Sequence, residues 1–460
     1  MLDEERHHLI EEACGVFGIG NTTEAANLTY LGLHALQHRG QESAGIAARI
    51  GSEIFAQRKQ GLVGEAFTQD VLDTLRGDTC IGHVRYSTSG ESTIRNAQPI
   101  TVLTKFGPLA LAHNGNLTNA GELRGRLEAS GSIFGTTTDT EVIAHLVAKS
   151  FAGDGLTAFV DALRQIEGAF SLVGLSREFM VAARDPHGVR PLVIGHVDGA
   201  RVIASEPSCF RLIGGVFERE LDPGELLVVW ADGREESRHP FEVVPHKPCI
   251  FELVYFARPD NTIFGRDVYE SRKSMGRILA REAPVDADVI VPVPDSGVPA
   301  ALGYAQASGI PYEMGLVRSH YVGRTFIEPT SSIRDFGVKL KLAPMPAVLE
   351  GKRVIIVDDS IVRGTTSRKI IKMVREAGAA EVHFRVASPP TTHPCFYGID
   401  TPDRDQLIAA TQRQEQICDF ITADSLGYLS VAGLREAVGA RVADGESTFC
   451  EACFTGEYPI

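Results

Sequence analysis

One stretch constrains the fold more than any other: Val354-Ile-Ile-Val-Asp358-Asp359-Ser360-Ile-Val-Arg363-Gly364-Thr365-Thr366-Ser367. The short apolar, β-branched run reads as a buried strand. It delivers two adjacent carboxylates, and a loop with Gly and hydroxyls then enters a helix that runs to about Ala377. Free amides and the dipole at such a helix start favour a phosphate. Neighbouring carboxylates suit a cis-diol, since each accepts a hydrogen bond from one hydroxyl. The plain alternative, a strand–turn–helix with Asp caps, is disfavoured by the length and order of the motif. Asp288–Val293 is a second compact strand, followed by the turn Asp295-Ser296-Gly297-Val298-Pro299 and a helix, and Glu381–Ala387 is a third. Such alternation predicts a parallel sheet whose ligands bind at the carboxyl ends of its strands.

Before about His246 the pattern differs. Short β-like runs recur at Gly15–Ile19, Gly45–Ile50, Cys80–Tyr86, Leu109–His113, Ala169–Leu175, Val189–Ile194, Arg201–Ser205 and Leu226–Trp230. Most end at Gly, Asp or Asn, as strands do. Helical spacing appears near Ala25–Gln37 and Thr140–Lys149. This predicts an α+β half of largely antiparallel sheets with helices packed on them. The 460 residues exceed one ordinary core, so two domains are expected. The junction His239–Pro248 holds too many prolines and apolar residues for a flexible linker, so the domains should pack together.

Cys14 stands between a charged leader and the first strand. The leader, Met1–Ala13, lacks the apolar core of a secretory signal. Cleavage after Ala13 would give Cys14 a free α-amine with a pKa of about 7.7–8.0, able to act as base for its own thiol. The alternative is a frayed helix followed by a buried cysteine. Several polar clusters follow: Gln37-His38-Arg39-Gly40-Gln41, His83-Val84-Arg85-Tyr86-Ser87-Thr88, His113-Asn114-Gly115-Asn116 closing a strand, and Thr138-Asp139-Thr140-Glu141 opening a helix. An Asn side chain beside a Gly amide can form an oxyanion hole. Arg85 and Asp139 offer the cation and anion that a zwitterionic amino acid needs. Each cluster alone has a plain reading, such as a turn, a cap or a surface charge.

In this order after an N-terminal Cys-Gly, these motifs resemble the class II glutamine amidotransferase domain of the N-terminal-nucleophile hydrolases. The resemblance implies Cys14 as nucleophile and Asn114 with Gly115 as oxyanion hole. Arg85, Thr88 and Asp139 would hold glutamine, with Arg39 helping to organise the pocket and counted among the glutamine-binding residues. The later motif resembles that of type I phosphoribosyltransferases. It implies Asp358 and Asp359 on the ribose hydroxyls of phosphoribosyl pyrophosphate, with Ser360 beside them. Arg363, Gly364, Thr365, Thr366 and Ser367 would hold the 5′-phosphate, and Asp295, Ser296 and Gly297 the pyrophosphate. One Mg²⁺ per subunit would sit near Ser296, Asp358 and Asp359. The basic Arg324–Lys341 segment reads as a lid, with Arg324, Lys339 and Lys341 reaching the pyrophosphate; an ordinary solvated loop is the alternative.

Eight cysteines in a chain of this length do not make a disulfide scaffold, and without an export signal they should be reduced or metal-bound in a cytoplasm. Cys450-Glu-Ala-Cys453 supplies half of a four-thiolate site, and Cys249 and Cys395, each after a proline, can complete it. Spacing alone does not separate zinc from iron–sulfur. Cys80, Cys209 and Cys418 read as ordinary buried thiols. Together the two halves and the tail resemble the glutamine phosphoribosylpyrophosphate amidotransferase family in its cluster-bearing branch. This implies a propeptide (1–13), an N-terminal-nucleophile glutaminase domain (14–245) and a phosphoribosyltransferase domain (246–460) with a cluster-binding tail. It also implies one [4Fe–4S] cluster per subunit, purine nucleotides as feedback inhibitors and a homotetramer. The net charge of −14 argues against a general nucleic-acid or anionic-membrane surface, and no apolar run is long enough to span a bilayer. A sugar-phosphate amidotransferase would lack Asp358-Asp359, and a non-catalytic regulator on a phosphoribosyltransferase fold would not need Cys14.

Overall fold

A computed structural model of the chain describes residues 14–86, 93–319, 342–443 and 446–460. The leader, Thr88 and the basic segment with Arg324, Lys339 and Lys341 lie outside the described residues.

Two antiparallel sheets face each other in the first half. The seven-stranded sheet runs Val216–Glu220, Val193–Val197, Ala200–Ala204, Gly15–Gly20, Thr79–Arg85, Ser43–Ile50, Glu53–Gln60. The six-stranded sheet runs Glu235–Arg238, Leu226–Trp230, Phe179–Arg184, Gly168–Ser176, Gly107–Leu117, Ile100–Thr104. Val16, Ile81 and Ile203 of the first meet Ala112, Val173 and Met180 of the second in the space between. Helices Ala25–Ala35 and Ser208–Ile213 cover the outer face of one sheet, and Thr140–Lys149 and Gly155–Leu163 the outer face of the other. The central strands are therefore covered on both faces. That is why Ser43–Ile50 and Gly168–Ser176 are buried along almost their whole length instead of alternating.

The second half carries a parallel sheet in the order Val289–Pro292, Arg353–Asp358, Glu381–Val386, Ser425–Tyr428. Helices Val268–Glu282 and Val298–Ser308 pack on one face, Thr365–Glu376 and Gln414–Ile421 on the other. Asp358 is the last residue of its strand, at the carboxyl edge where such sheets bind ligands.

The halves share one core. Ala169 and Val189 belong to the apolar cluster of Ile250, Phe251 and Val254. The Cys249 amide donates to the Val189 carbonyl at 3.0 Å and the Lys247 amide to that of His187 at 2.8 Å. The junction is packed, as its composition implied. Three readings need correction. The strand assigned to Val189–Ile194 begins at Val193, because Val189 serves the interdomain contact instead. The strand ending at His113 continues to Leu117, so Asn114-Gly115 lies within a ladder opposite Ser171 and Phe170 and closes nothing. Cys418 is only half-buried, with its thiol on the Ala423 carbonyl at 3.3 Å.

Candidate active site

Cys14 opens the first strand in the middle of the seven-stranded sheet, and its thiol donates to the Tyr86 carbonyl at 3.2 Å. Burial pushes this thiol up to about 11; Arg85 and Arg190 pull it down, while Asp139 and Glu42 add to the rise. The fold thus gathers Cys14, Arg85 and Asp139 into one electrostatic neighbourhood. As a thiol at this pKa it is almost wholly protonated near neutrality, so attack requires a base.

Asp139 occupies the N-cap position of Thr140–Lys149 but makes no side-chain cap. Its carboxylate instead accepts from the Leu117 amide at 3.0 Å and faces His113 Nδ1 at 3.5 Å. Burial works against its charge, but His113 and the Leu117 amide outweigh it and hold the carboxyl below its ordinary value. His83 crosses between the sheets, its Nε2–H donating to the His113 carbonyl at 2.9 Å. Burial drives its pKa down to about 3, so the imidazole stays neutral.

Asn114 is completely buried, and neither its side-chain oxygen nor its nitrogen has a partner among the described residues. A buried primary amide left unpaired costs about 1–3 kcal/mol, so this group is held ready for an incoming acceptor. Gly115 follows at φ +147°, where a Cβ would stand 2.1 Å from the Ala169 carbonyl oxygen. Only glycine fits there.

Arg39 contacts the backbone of Cys14. It is buried, and its guanidinium donates to the Cys14 carbonyl (3.2 Å), Glu206 (2.5 Å) and both oxygens of Glu252 (2.9 and 2.6 Å). Held this way, it braces the Cys14 backbone, and the structure places it among Glu206 and Glu252. Glu206 also takes His38 at 2.8 Å and, from the second half, the Arg258 amide and the Asn261 side chain. Glu252, from the second half, also accepts from Arg190 at 2.9 Å. Glu206, Glu252 and Arg190 have no place in the sequence reading, and His113 enters it only as a member of its cluster, without a role. The available signal was a lone Glu inside the apolar run Cys249–Phe256 and a lone Arg after Val189.

At the second site, Asp358 and Asp359 are buried side by side, and the Asp359 amide donates to Asp358 Oδ1 at 2.9 Å. Burial and the neighbouring carboxylate hold Asp358 well above the ordinary range. Burial also raises Asp359, against hydrogen bonds from Ser296 and Ser360 and the charge of Arg272. The structure therefore brings Ser296 to the acid pair, as a shared cation site would require. Thr365, Thr366 and Ser367 form the first turn of Thr365–Glu376, whose amides have no intrahelical acceptor. Asp295 is engaged by Arg318 at 2.7 Å and Arg363 by Gln406 at 2.5 Å, so neither points freely into the site. Gly297 and Gly364 flank it as the N-cap residues of the two helices that start there.

Cys249, Cys395, Cys450 and Cys453 line a single cavity with Arg190, Tyr397 and Tyr458. Cys249 and Cys450 are bridged backbone to backbone. Burial raises the Cys249 thiol to about 12. Only Asp222, Glu225 and His239 form a trio of ligand atoms mutually within 4.8 Å among the described residues, so no three of these sulfurs do. The acidic trio itself is already satisfied, since Glu225 is taken by Arg219 and Ser237.

Residues 83–211 match the family model of a glutamine amidotransferase domain, and residues 272–388 that of a phosphoribosyl transferase domain. With Cys14 at the head of a strand in a two-sheet sandwich and an acid pair on a parallel sheet, the molecule has the fold of a class II glutaminase domain of the N-terminal-nucleophile type joined to a phosphoribosyltransferase domain. It is 52% identical over 457 residues to the amidophosphoribosyltransferase of Rhizobium etli, covering 98% of this chain and 92% of that protein. Identity to the Bacillus subtilis amidophosphoribosyltransferase is 48% over 451 residues, covering 98% and 94%. The solved glutamine phosphoribosylpyrophosphate amidotransferase of B. subtilis, complexed with ADP and GMP, superposes with a TM-score of 0.91 at 47% identity over 97% of both chains. The chain belongs to the amidophosphoribosyltransferase family.

Proposed function

We propose that this chain hydrolyses glutamine at Cys14 and transfers the ammonia to phosphoribosyl pyrophosphate, giving 5-phosphoribosylamine, pyrophosphate and glutamate, the first step of de novo purine synthesis. The observation that carries this reading is the pairing of sites in one chain. A buried thiol flanked by Arg85 and Asp139 is locked, through Glu252, to a half that ends a strand in Asp358-Asp359.

In this reading residues 1–13 are a propeptide, 14–245 the glutaminase and 246–460 the transferase. Removal of the propeptide frees the Cys14 α-amine, which takes the proton of a thiol that burial otherwise keeps protonated. The thiolate attacks the glutamine amide carbon, and Asn114 Nδ2 and the Gly115 amide donate to the developing oxyanion. Ammonia leaves with that proton, and water releases glutamate from the thioester. Arg85 and Thr88 hold the substrate carboxylate end and Asp139 its amine. Ammonia then attacks the anomeric carbon as pyrophosphate departs, so one C–N bond forms and one C–O bond breaks. Asp358 and Asp359 hold the ribose hydroxyls, with the first turn from Gly364 on the 5′-phosphate and Asp295–Gly297 on the pyrophosphate. Arg324, Lys339 and Lys341 close over the site and exclude water from the cationic centre. Mg²⁺ held near Ser296, Asp358 and Asp359 would neutralise charge on the departing pyrophosphate.

The four cysteines are proposed to hold a [4Fe–4S] cluster that pins the tail across the domain boundary, supported by their shared cavity. The B. subtilis relative was solved with ADP and GMP, and purine nucleotides are proposed as inhibitors here, in a cytoplasmic homotetramer. No helix among the described residues is long and apolar enough to cross a membrane. The test is Cys14→Ala, assayed for pyrophosphate release with glutamine and separately with ammonium. Loss of the first with retention of the second is the expected result. Equal loss of both, or of neither, would sink the proposal.

A further inference from the structure

We infer that Glu252 is a positioning residue for the glutaminase, supplied by the transferase half, and that it sets both the nucleophile and the oxyanion hole through two arginines. The inference rests on the proposed function above and goes beyond it, since sequence reasoning gives Glu252 no role.

The first arm runs from Glu252 through Arg39. Glu252 holds Arg39 by both carboxylate oxygens, and Arg39 Nε donates to the Cys14 carbonyl at 3.2 Å. The second arm runs through Arg190, which donates to Glu252 at 2.9 Å and to the Gly398 carbonyl at 2.5 Å. Gly398, at φ +99°, lies so close to Gly115 that a Cβ there would meet the Gly115 Cα and carbonyl carbon at 2.7 Å. Asn116 Nδ2 completes the seating by donating to the Phe396 carbonyl at 2.9 Å. The 396–398 backbone thus braces the strand bearing Asn114 and Gly115.

All three charged groups are fully buried. Without the carboxylate, Arg190 loses its ion-pair partner and Arg39 keeps only Glu206, and a buried cation left so re-sorts its hydrogen bonds. Glu252 is also the first residue of the turn Glu252–Phe256. One carboxylate therefore joins the backbone of the nucleophile to the oxyanion strand. The nearby cysteine loop begins at Cys395, three residues before Gly398, so the brace is anchored at the thiol cavity.

The test is Glu252→Gln in the full chain, isosteric but uncharged, measured in three ways. Glutamine-dependent kcat should fall at least tenfold with KM for glutamine changed less than threefold. Ammonium-dependent pyrophosphate release should stay within twofold. The rate of Cys14 alkylation by iodoacetamide should change at least fivefold, a readout independent of turnover. Wild-type glutamine kcat and alkylation in the variant would overturn the inference, as would equal loss of both activities, which marks a merely structural role. If Glu252→Gln does not fold, Arg190→Lys replaces it; Lys keeps the charge but lacks the fork to reach Glu252 and Gly398 together. An unchanged glutamine kcat there would equally overturn it. Failure of the wild type to use ammonium would sink the proposed function itself, which separates the two failures.

Discussion

The two sites are built in opposite ways. Around Cys14 many polar groups are buried side chains held by another side chain or by the backbone, as with Asp139 on the Leu117 amide and Arg39 on the Cys14 carbonyl. Asn114 differs in that both ends of its side-chain amide lack a partner among the described residues. Around Asp358 the site is a strand end, two helix starts and an acid pair whose carboxyls burial holds above their ordinary range. The first site is finished by the fold. The second, in the proposed function, is completed by its ligand and a cation. A glutaminase hydrolyses a stable amide and gains from preorganised donors, whereas a phosphoribosyl transfer gains from a site that closes on a polyanion.

The contrast yields graded predictions. Cys14→Ala should lower glutamine-dependent turnover by roughly 10⁴-fold or more, since no other thiol can replace the nucleophile, while ammonium-dependent synthesis persists. Asn114→Ala should cost about 10²–10³ in glutamine kcat, the usual loss for one oxyanion donor, and leave stability little changed because the amide has no partner to strand. Asp359→Asn should behave differently, lowering turnover about 10²-fold with either nitrogen source, because both reactions end at the same sugar. Equal effects of Asn114→Ala on both nitrogen sources would erase the distinction between the sites.

A pH experiment probes the lock between the halves. Burial alone would raise Glu206, but His38 and Arg39 overcome it and bring its pKa down to about 2 from an ordinary 4.5. A carboxyl depressed by folding stabilises the native state above pH 4.5, and that contribution fades as pH falls toward 2. It is on the order of 3 kcal/mol. Urea midpoints of wild type and Glu206→Gln should therefore differ most above pH 5 and converge near pH 2. A constant gap across that range would contradict the assignment.

The smallest effects serve as controls. Asp154 caps Gly155–Leu163 by accepting from the Thr157 amide at 2.8 Å, and Asp267 caps Val268–Glu282 by accepting from that of Glu270 at 2.9 Å. Replacing either by Ala should cost about 1 kcal/mol in thermal unfolding with both activities intact. If a cap variant selectively lost the glutamine reaction, the losses above could be ascribed to stability.

The sequence made the second half legible because its site is contiguous. A strand, two acids and a helix start are neighbours in the chain, and Asp358 fell where the motif placed it. In the first half the identities of Cys14, Arg85, Asn114 and Asp139 were readable, but their partners were not. His113 on its strand reaches Asp139 at the start of a helix, and Glu252 reaches Arg39 across 213 residues; spacing carries no trace of either contact. The family resemblance implies a pocket-organising Arg39, but nothing in the sequence points to its pairing with Glu252. The strand Ser425–Tyr428, short and containing Gly427, lacked the β-branched run that revealed the other three of its sheet.

The most direct test of the whole account is one reaction of the intact, anaerobically prepared protein with glutamine, Mg²⁺ and phosphoribosyl pyrophosphate, following glutamate and pyrophosphate together. The account predicts equal release of both, and little glutamate when the sugar is omitted. Glutamate released at full rate with no pyrophosphate would contradict it, leaving a glutaminase whose second half serves another acceptor.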